Sequence, residues 1–155
     1  HLLDSLAALP GVQGGRVADI GSGAGLPGIP IALARPAKSM ILVESNGKKA
    51  AFLRHAARVL ALDNVSVVQD RVESFHPSEP FTTVVCRAFA AAGETLYRCG
   101  HLCVGRGRVV LLKGRDPTEE LAKLPAGFRV ATVESVCVPG LGAERHVAVV
   151  EPGLL

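Results

Sequence analysis

V-A-D-I-G-S-G-A-G-L-P-G-I-P, residues 17–30, is the stretch whose reading decides the fold. The run from Arg16 to Ile20 is apolar after its opening arginine except for an acid near its end, and it breaks into glycines at 21, 23 and 25. A segment able to turn helical follows, so the order reads as strand, tight loop and helix, the first βα unit of a nucleotide-binding sheet. Glycines in such a loop can take φ > 0 and let a ligand lie against bare backbone. Pro27 and Pro30 suit the first turn of a helix, where amides lack intrahelical partners.

Two glycine patterns overlap here, G-x-G-x-G at 21, 23 and 25 and the dinucleotide-type G-x-G-x-x-G at 23, 25 and 28. Charge separates them. Asp19 sits at the carboxyl end of its strand, where open α/β sheets bind ligands. A carboxylate there repels a pyrophosphate but suits a cationic ligand without phosphate, which favours S-adenosyl-L-methionine over NAD or FAD. Glu44, closing the next strand (Met40 to Val43), stands where an acid accepts hydrogen bonds from ribose hydroxyls. Both cofactors use such an acid, so Glu44 supports nucleoside binding without choosing between them.

With 155 residues, 48% apolar and 20% charged, the chain fits one globular domain. No apolar run reaches the roughly 18 residues of a membrane span, and no signal-peptide layout opens the chain, so a cytoplasmic protein is expected. Cys86, Cys99, Cys103 and Cys137 lack metal-ligand spacing, which speaks against zinc and for reduced thiols. A net charge of +3 permits an anionic partner without proving one.

Leucines at 2, 3, 6 and 9 suggest the end of a helix over His1 to Leu9, stopped by Pro10-Gly11. Helices are expected over Ile29 to Arg35, Lys48 to Leu60, Gly93 to His101 and Thr118 to Lys123. The Lys48 to Leu60 segment is expected to bury Ala51, Phe52, His55, Ala56, Val59 and Leu60, with Arg54 and Arg58 sharing a polar face that RNA phosphate could meet. Strands are expected over Val65 to Gln69, Phe81 to Cys86, Arg108 to Lys113, Phe128 to Val138 and His146 to Glu151. This alternation describes a mainly parallel sheet covered on both faces. After the third strand, Asp70 and Glu73 are both candidates to accept the hydrogen bond of an adenine amine.

A-D-I-G-S-G-A-G-L-P-G-I-P (18–30), K-K-A-A-F-L-R (48–54), R-V-E-S-F (71–75), C-R-A-F-A (86–90), L-K-G (112–114) and E-R-H-V-A-V-V (144–150) occur in order, after an opening H-L-L-D-S. Together they resemble the bacterial 16S ribosomal RNA guanine-N7 methyltransferases, the glucose-inhibited division protein B family, over the whole chain. The resemblance implies a class I, Rossmann-like methyltransferase domain, with a seven-stranded sheet whose last strand is antiparallel. It implies S-adenosyl-L-methionine as donor and a guanosine in the decoding region of 16S rRNA, in the small ribosomal subunit, as acceptor. A monomer is expected. Carried over by position, cofactor contacts fall on Gly21 and Leu26, on Glu44, on Val72 and Glu73, and on Arg87, with Glu73 preferred to Asp70 for the adenine; Gly23 and Asp19 join them from the reading of the glycine loop itself. Lys113, Arg145 and His146 match motifs at the substrate edge. In that family a helical segment precedes H-L-L-D-S and is absent here, so an inactive cofactor-binding fragment is the first alternative and a nicotinamide-dependent oxidoreductase the second.

The chemistry is consistent with that resemblance. Guanine N7 carries a lone pair and no proton, so it can attack a sulfonium methyl without a general base, and positioning can supply much of the acceleration. No Ser/His/Asp or Cys/His arrangement is then expected, nor the Asn/Asp-Pro-Pro-Tyr/Phe sequence of exocyclic-amine methyltransferases. Cys86 is a candidate nucleophile for cytosine-C5 chemistry but follows Val85, not the proline or threonine of those families, and reads as a packed thiol. Arg87, at a central strand end, can hold a carboxylate or phosphate by two hydrogen bonds, positioning cofactor or RNA, or can pair with Glu94. Of the few aromatic residues, Phe89 is the best placed platform for a flipped base, the ordinary alternative being a core side chain.

Overall fold

The computed structural model describes residues 2–87, 90–103, 105, 107–137, 140, 142 and 144–153. In chain order the elements are α1 (Leu2–Leu6), β1 (Arg16–Ile20), α2 (Gly28–Ala34), β2 (Ser39–Val43), α3 (Gly47–Val59), β3 (Val65–Val68), β4 (Thr83–Arg87), α4 (Ala92–Cys99), β5 (Arg108–Lys113), α5 (Thr118–Leu121), β6 (Phe128–Val136) and β7 (Arg145–Pro152). The sheet has seven strands in the order β3-β2-β1-β4-β5-β7-β6. β7 runs antiparallel to β5 and β6, and the remaining pairs are parallel, as the resemblance implies. The order reverses between β1 and β4, so the ligand crevice of such a sheet lies outside the carboxyl ends of these two strands.

Successive side chains of a strand point to opposite faces, and here each face becomes a core. Ala18 and Ile20 of β1, Val84 and Cys86 of β4 and Leu111 of β5 pack with Leu96 and Cys99 of α4. Val17, Val85, Val110 and Leu112 pack on the other side with Ile29 and Ile31 of α2 and Leu53 of α3. The near-continuous apolar runs of the central strands follow from burial on both sides.

The element types match the sequence expectations, with two corrections. First, α3 does not bury Ala51, Phe52, His55, Val59 or Leu60, which are exposed; Ala50 and Leu53 are buried, and Ala56 and Ala57 half-buried. Two apolar stripes run along this helix, and tertiary packing chose the narrower, small-residue one that fits against β2 and β3, leaving Phe52 52% and Val59 67% exposed. Second, the helix expected over His1 to Leu9 ends at Leu6. Leu2 and Leu3 are exposed while Asp4, Ser5 and Ala8 are buried, and Pro10 lies within a 3-10 turn, Leu9–Gly11. The part of the strand expected at Val138, and the stacking platform expected at Phe89, lie outside the described residues. No described helix is long and apolar enough to cross a membrane.

Candidate functional site

The glycine loop is closed by its own backbone. The amides of Gly21 and Ser22 both donate to the Val43 carbonyl, at 2.9 and 3.2 Å, which ties the loop to the end of β2. The Ser22 hydroxyl donates to the Asp19 carbonyl at 2.9 Å, and the Gly25 amide to Ser22 at 2.7 Å. Gly23 has φ +54°, and a Cβ there would meet only the Gly21 carbonyl oxygen at 3.9 Å, so open space faces this residue. Gly28 is the opposite case. A Cβ there would lie 2.4 Å from Leu42 Cδ2 and 2.6 Å from Asp19 Oδ2, so only glycine lets the first turn of α2 sit on β1 and β2.

Asp19 is fully buried beneath this loop, and its Oδ2 accepts from the Gly28 amide at 2.9 Å. Burial pushes its pKa from 3.8 up to about 7, against the opposing effect of the Gly28 amide, with lesser contributions from Ser22, Glu44 and Arg87. Its Oδ1 is buried with no hydrogen-bond partner. The charge argument made from Asp19 is thereby corrected: this carboxyl is sealed under the loop and holds its proton up to about neutral pH, and the acid that lines the crevice is Glu44. That side chain is 7% exposed, and both of its oxygens are held by backbone: Oε1 accepts from Gly23 at 2.9 Å and Oε2 from Asn46 at 2.8 Å. Asn46 in turn caps α3 by accepting from the Lys49 amide at 3.0 Å.

Glu44 lines a cavity of about 180 Å³ with Gly21, Val43, Asp70, Val72 and Glu73. The 3-10 turn Val72–Ser74 buries Val72 and leaves Glu73 exposed. Asp70 Oδ1 accepts from the Arg71 amide at 2.8 Å, whereas the Glu73 carboxylate pairs with Arg98 Nε of α4 at 3.6 Å. Leu26 is half-buried in the loop. Apolar Val43 and Val72 with the carboxylates of Glu44, Asp70 and Glu73 beside bare loop backbone offer what a nucleoside needs: walls for a flat base and acceptors for ribose hydroxyls and an exocyclic amine.

A second cavity, about 190 Å³, opens at the other side of the same edge. Arg87, Lys113, Arg145 and His146 all line it, together with Asp4. The sheet register explains the gathering: Arg87 pairs with Leu112, and Lys113 with His146, so the carboxyl ends of β4 and β5 meet the start of antiparallel β7. Arg145 donates from Nε to Asp4 Oδ2 at 3.1 Å and from Nη1 to the Glu144 carbonyl at 2.8 Å. Lys113 donates to the Ala90 carbonyl at 2.9 Å and pairs with Glu120 at 2.9 Å. Glu94, the partner considered for Arg87, pairs with Arg98.

Asp4 and Arg98 had no place in the sequence reading. A buried acid calls for a partner, but nothing local to H-L-L-D-S points to an arginine 141 residues away. Cys86 lies in the core at 1% exposure, as a packed thiol does. Burial pushes the neighbouring Cys99 thiol well above its usual range and Cys103 up to about 12, so both stay neutral.

The rRNA small subunit methyltransferase G model (GidB) matches residues 1–148 of this chain. The chain is 49% identical over 158 residues to the ribosomal RNA small subunit methyltransferase G of Nitrosospira multiformis, covering 97% of this chain and 73% of that protein. It is 45% identical to the protein of the same name from Nitrosococcus oceani, covering 98% of this chain and 71% of the relative. Among solved structures, the glycopeptide N-methyltransferase MtfA with S-adenosyl-L-homocysteine superposes with a TM-score of 0.79 at 13% identity, over 97% of this chain and 87% of that one. The Bacillus subtilis m1A22 tRNA methyltransferase TrmK gives 0.73 at 19%, over 98% and 65%. At such identities these two share the fold alone. With the fold, the glycine-loop acid and relatives of this identity together, the chain belongs to the rRNA small subunit methyltransferase G family.

Proposed function

We propose that this chain transfers a methyl group from S-adenosyl-L-methionine to N7 of a guanosine in the decoding region of 16S ribosomal RNA. The observation that carries the reading is Glu44, whose carboxylate is fixed by two amides at the rim of the glycine loop, facing a cavity walled by Val43 and Val72. Those residues fit an adenosine. When bound, S-adenosyl-L-methionine supplies a methyl group on a positively charged sulfur.

Glu44 holds the ribose hydroxyls, Glu73 accepts from the adenine amine beside Val72, and Gly21, Gly23 and Leu26 form the loop on which the cofactor rests. Glu73, which also pairs with Arg98, is chosen over Asp70 because the family resemblance puts the adenine's acceptor at its position. Asp19 shapes the loop through Gly28. Arg87 lines the second cavity and orients the reactants, while Lys113, Arg145 and His146 border the place where the target nucleotide enters. Guanine N7 bears no proton, so these residues need only hold nitrogen, methyl and sulfur in line. The chain acts in the cytoplasm as a monomer on the small ribosomal subunit.

Tritiated S-adenosylmethionine with small subunits from cells lacking their own N7 enzyme tests this. Label recovered as 7-methylguanosine at one position supports the reading, and label on another base or none despite cofactor binding overturns it.

A further inference from the structure

We infer that His146 reads the target base, accepting a hydrogen bond from the N1–H of guanine; this rests on the guanine-N7 reading above. The side chain is 8% exposed and lines the second cavity, and its Nδ1 is buried with no hydrogen-bond partner. Its neighbours there are committed elsewhere: Arg145 to Asp4 and the Glu144 carbonyl, Lys113 to Glu120 and the Ala90 carbonyl. Nδ1 is shut off from the cavity as it is from water, so the contact with the base falls to Nε2, the ring nitrogen that is not sealed.

The chemistry of the base selects the contact. A neutral imidazole carries one acceptor nitrogen, and guanine offers a donor at N1 where adenine has an acceptor. As N7 takes the methyl group, positive charge spreads over the purine and N1–H becomes a stronger donor. The contact therefore strengthens along the reaction path, which raises the rate as well as the selectivity. His146 is fixed for this by its register opposite Lys113 in β5, at the edge where Arg87 also ends its strand.

The test compares wild type with His146→Phe, His146→Asn and His146→Gln. Assays use small-subunit RNA carrying guanosine, inosine or 2-aminopurine at the methylated position, with nucleoside analysis of the product. Inosine keeps N1–H and 2-aminopurine lacks it. We expect His146→Phe to lower kcat/KM on guanosine RNA about ten- to a hundredfold, mainly in kcat, with cofactor Kd unchanged. Wild type should prefer inosine to 2-aminopurine, His146→Phe should lose that preference, and Asn or Gln should restore part of it. Should the Phe variant not fold, the Asn and Gln variants carry the same comparison through their altered preference. Undiminished activity in all three variants, or a lower rate with the inosine preference intact, overturns the assignment. Failure of wild type itself to form 7-methylguanosine instead overturns the proposed function on which it rests.

Discussion

The Glu44 carboxylate is bound to the Gly23 amide at 2.9 Å, so the acid at the end of β2 and the middle glycine of the loop after β1 form one unit. Replacing Glu44 disturbs both. Glu44→Ala should weaken S-adenosylmethionine binding about ten- to a hundredfold, the scale of one or two lost charge-assisted hydrogen bonds. Glu44→Gln should lose less, since the amide oxygen still accepts from one backbone amide. Titration calorimetry checks both, and an unchanged Kd for Glu44→Ala would place the cofactor elsewhere.

Gly28→Ala should destabilise the fold by about 1–3 kcal/mol, because its methyl group would press on Leu42 and Asp19 where two fully buried strands meet. Urea unfolding measures this. The same substitution at Gly15, where a Cβ meets nothing within 4 Å, is the control and should change stability little.

Asp19 has its pKa raised from 3.8 to about 7 by burial, so the folded state binds its proton more tightly than the unfolded chain does. The stability this contributes is complete below about pH 4 and is lost as pH rises through about 7. Asp19→Asn removes the titrating group, so its stability relative to wild type should improve from pH 4 to pH 7 by up to about 4 kcal/mol. Parallel slopes for the two proteins across that window would contradict the assignment.

Asp4→Ala leaves the Arg145 side chain, 25% exposed, without its carboxylate, and should cost about 1–2 kcal/mol. Because the pair joins α1 to β7, amide exchange should quicken in Leu2–Leu6 before it does in β5. Uniform exchange rates across both elements would show that another contact holds α1.

Cys86→Ala should retain methyl transfer per folded molecule, with a stability loss of about 1 kcal/mol from the core. Abolished transfer with cofactor binding intact would revive the thiol as a nucleophile.

Much of the fold was legible because each element has a local signature. The central strands are apolar runs bounded by Gly, Pro or charge, and Arg16–Ile20 and Arg108–Lys113 begin and end where their patterns do. Several first-cavity residues were legible for the same reason: Gly21 and Glu44 follow strand ends directly, and Glu73 lies in the short segment after β3. The face of α3 was not, since Phe52 and Val59 are as apolar as Leu53, and only the shape of the sheet beneath decides which stripe is buried.

The amino-acid order by itself determined the alternating strands and helices, the glycine loop and the acids that follow it, since hydrophobic period and backbone freedom act over a few residues. Tertiary structure alone decided that Asp19 would be sealed under Gly28, that Asp4 would meet Arg145, and that Arg87, Lys113 and His146 would share one cavity. Those relations depend on which strands lie side by side and on how much water each group loses. Strand order and desolvation are properties of the assembled chain, and no short window of sequence contains them.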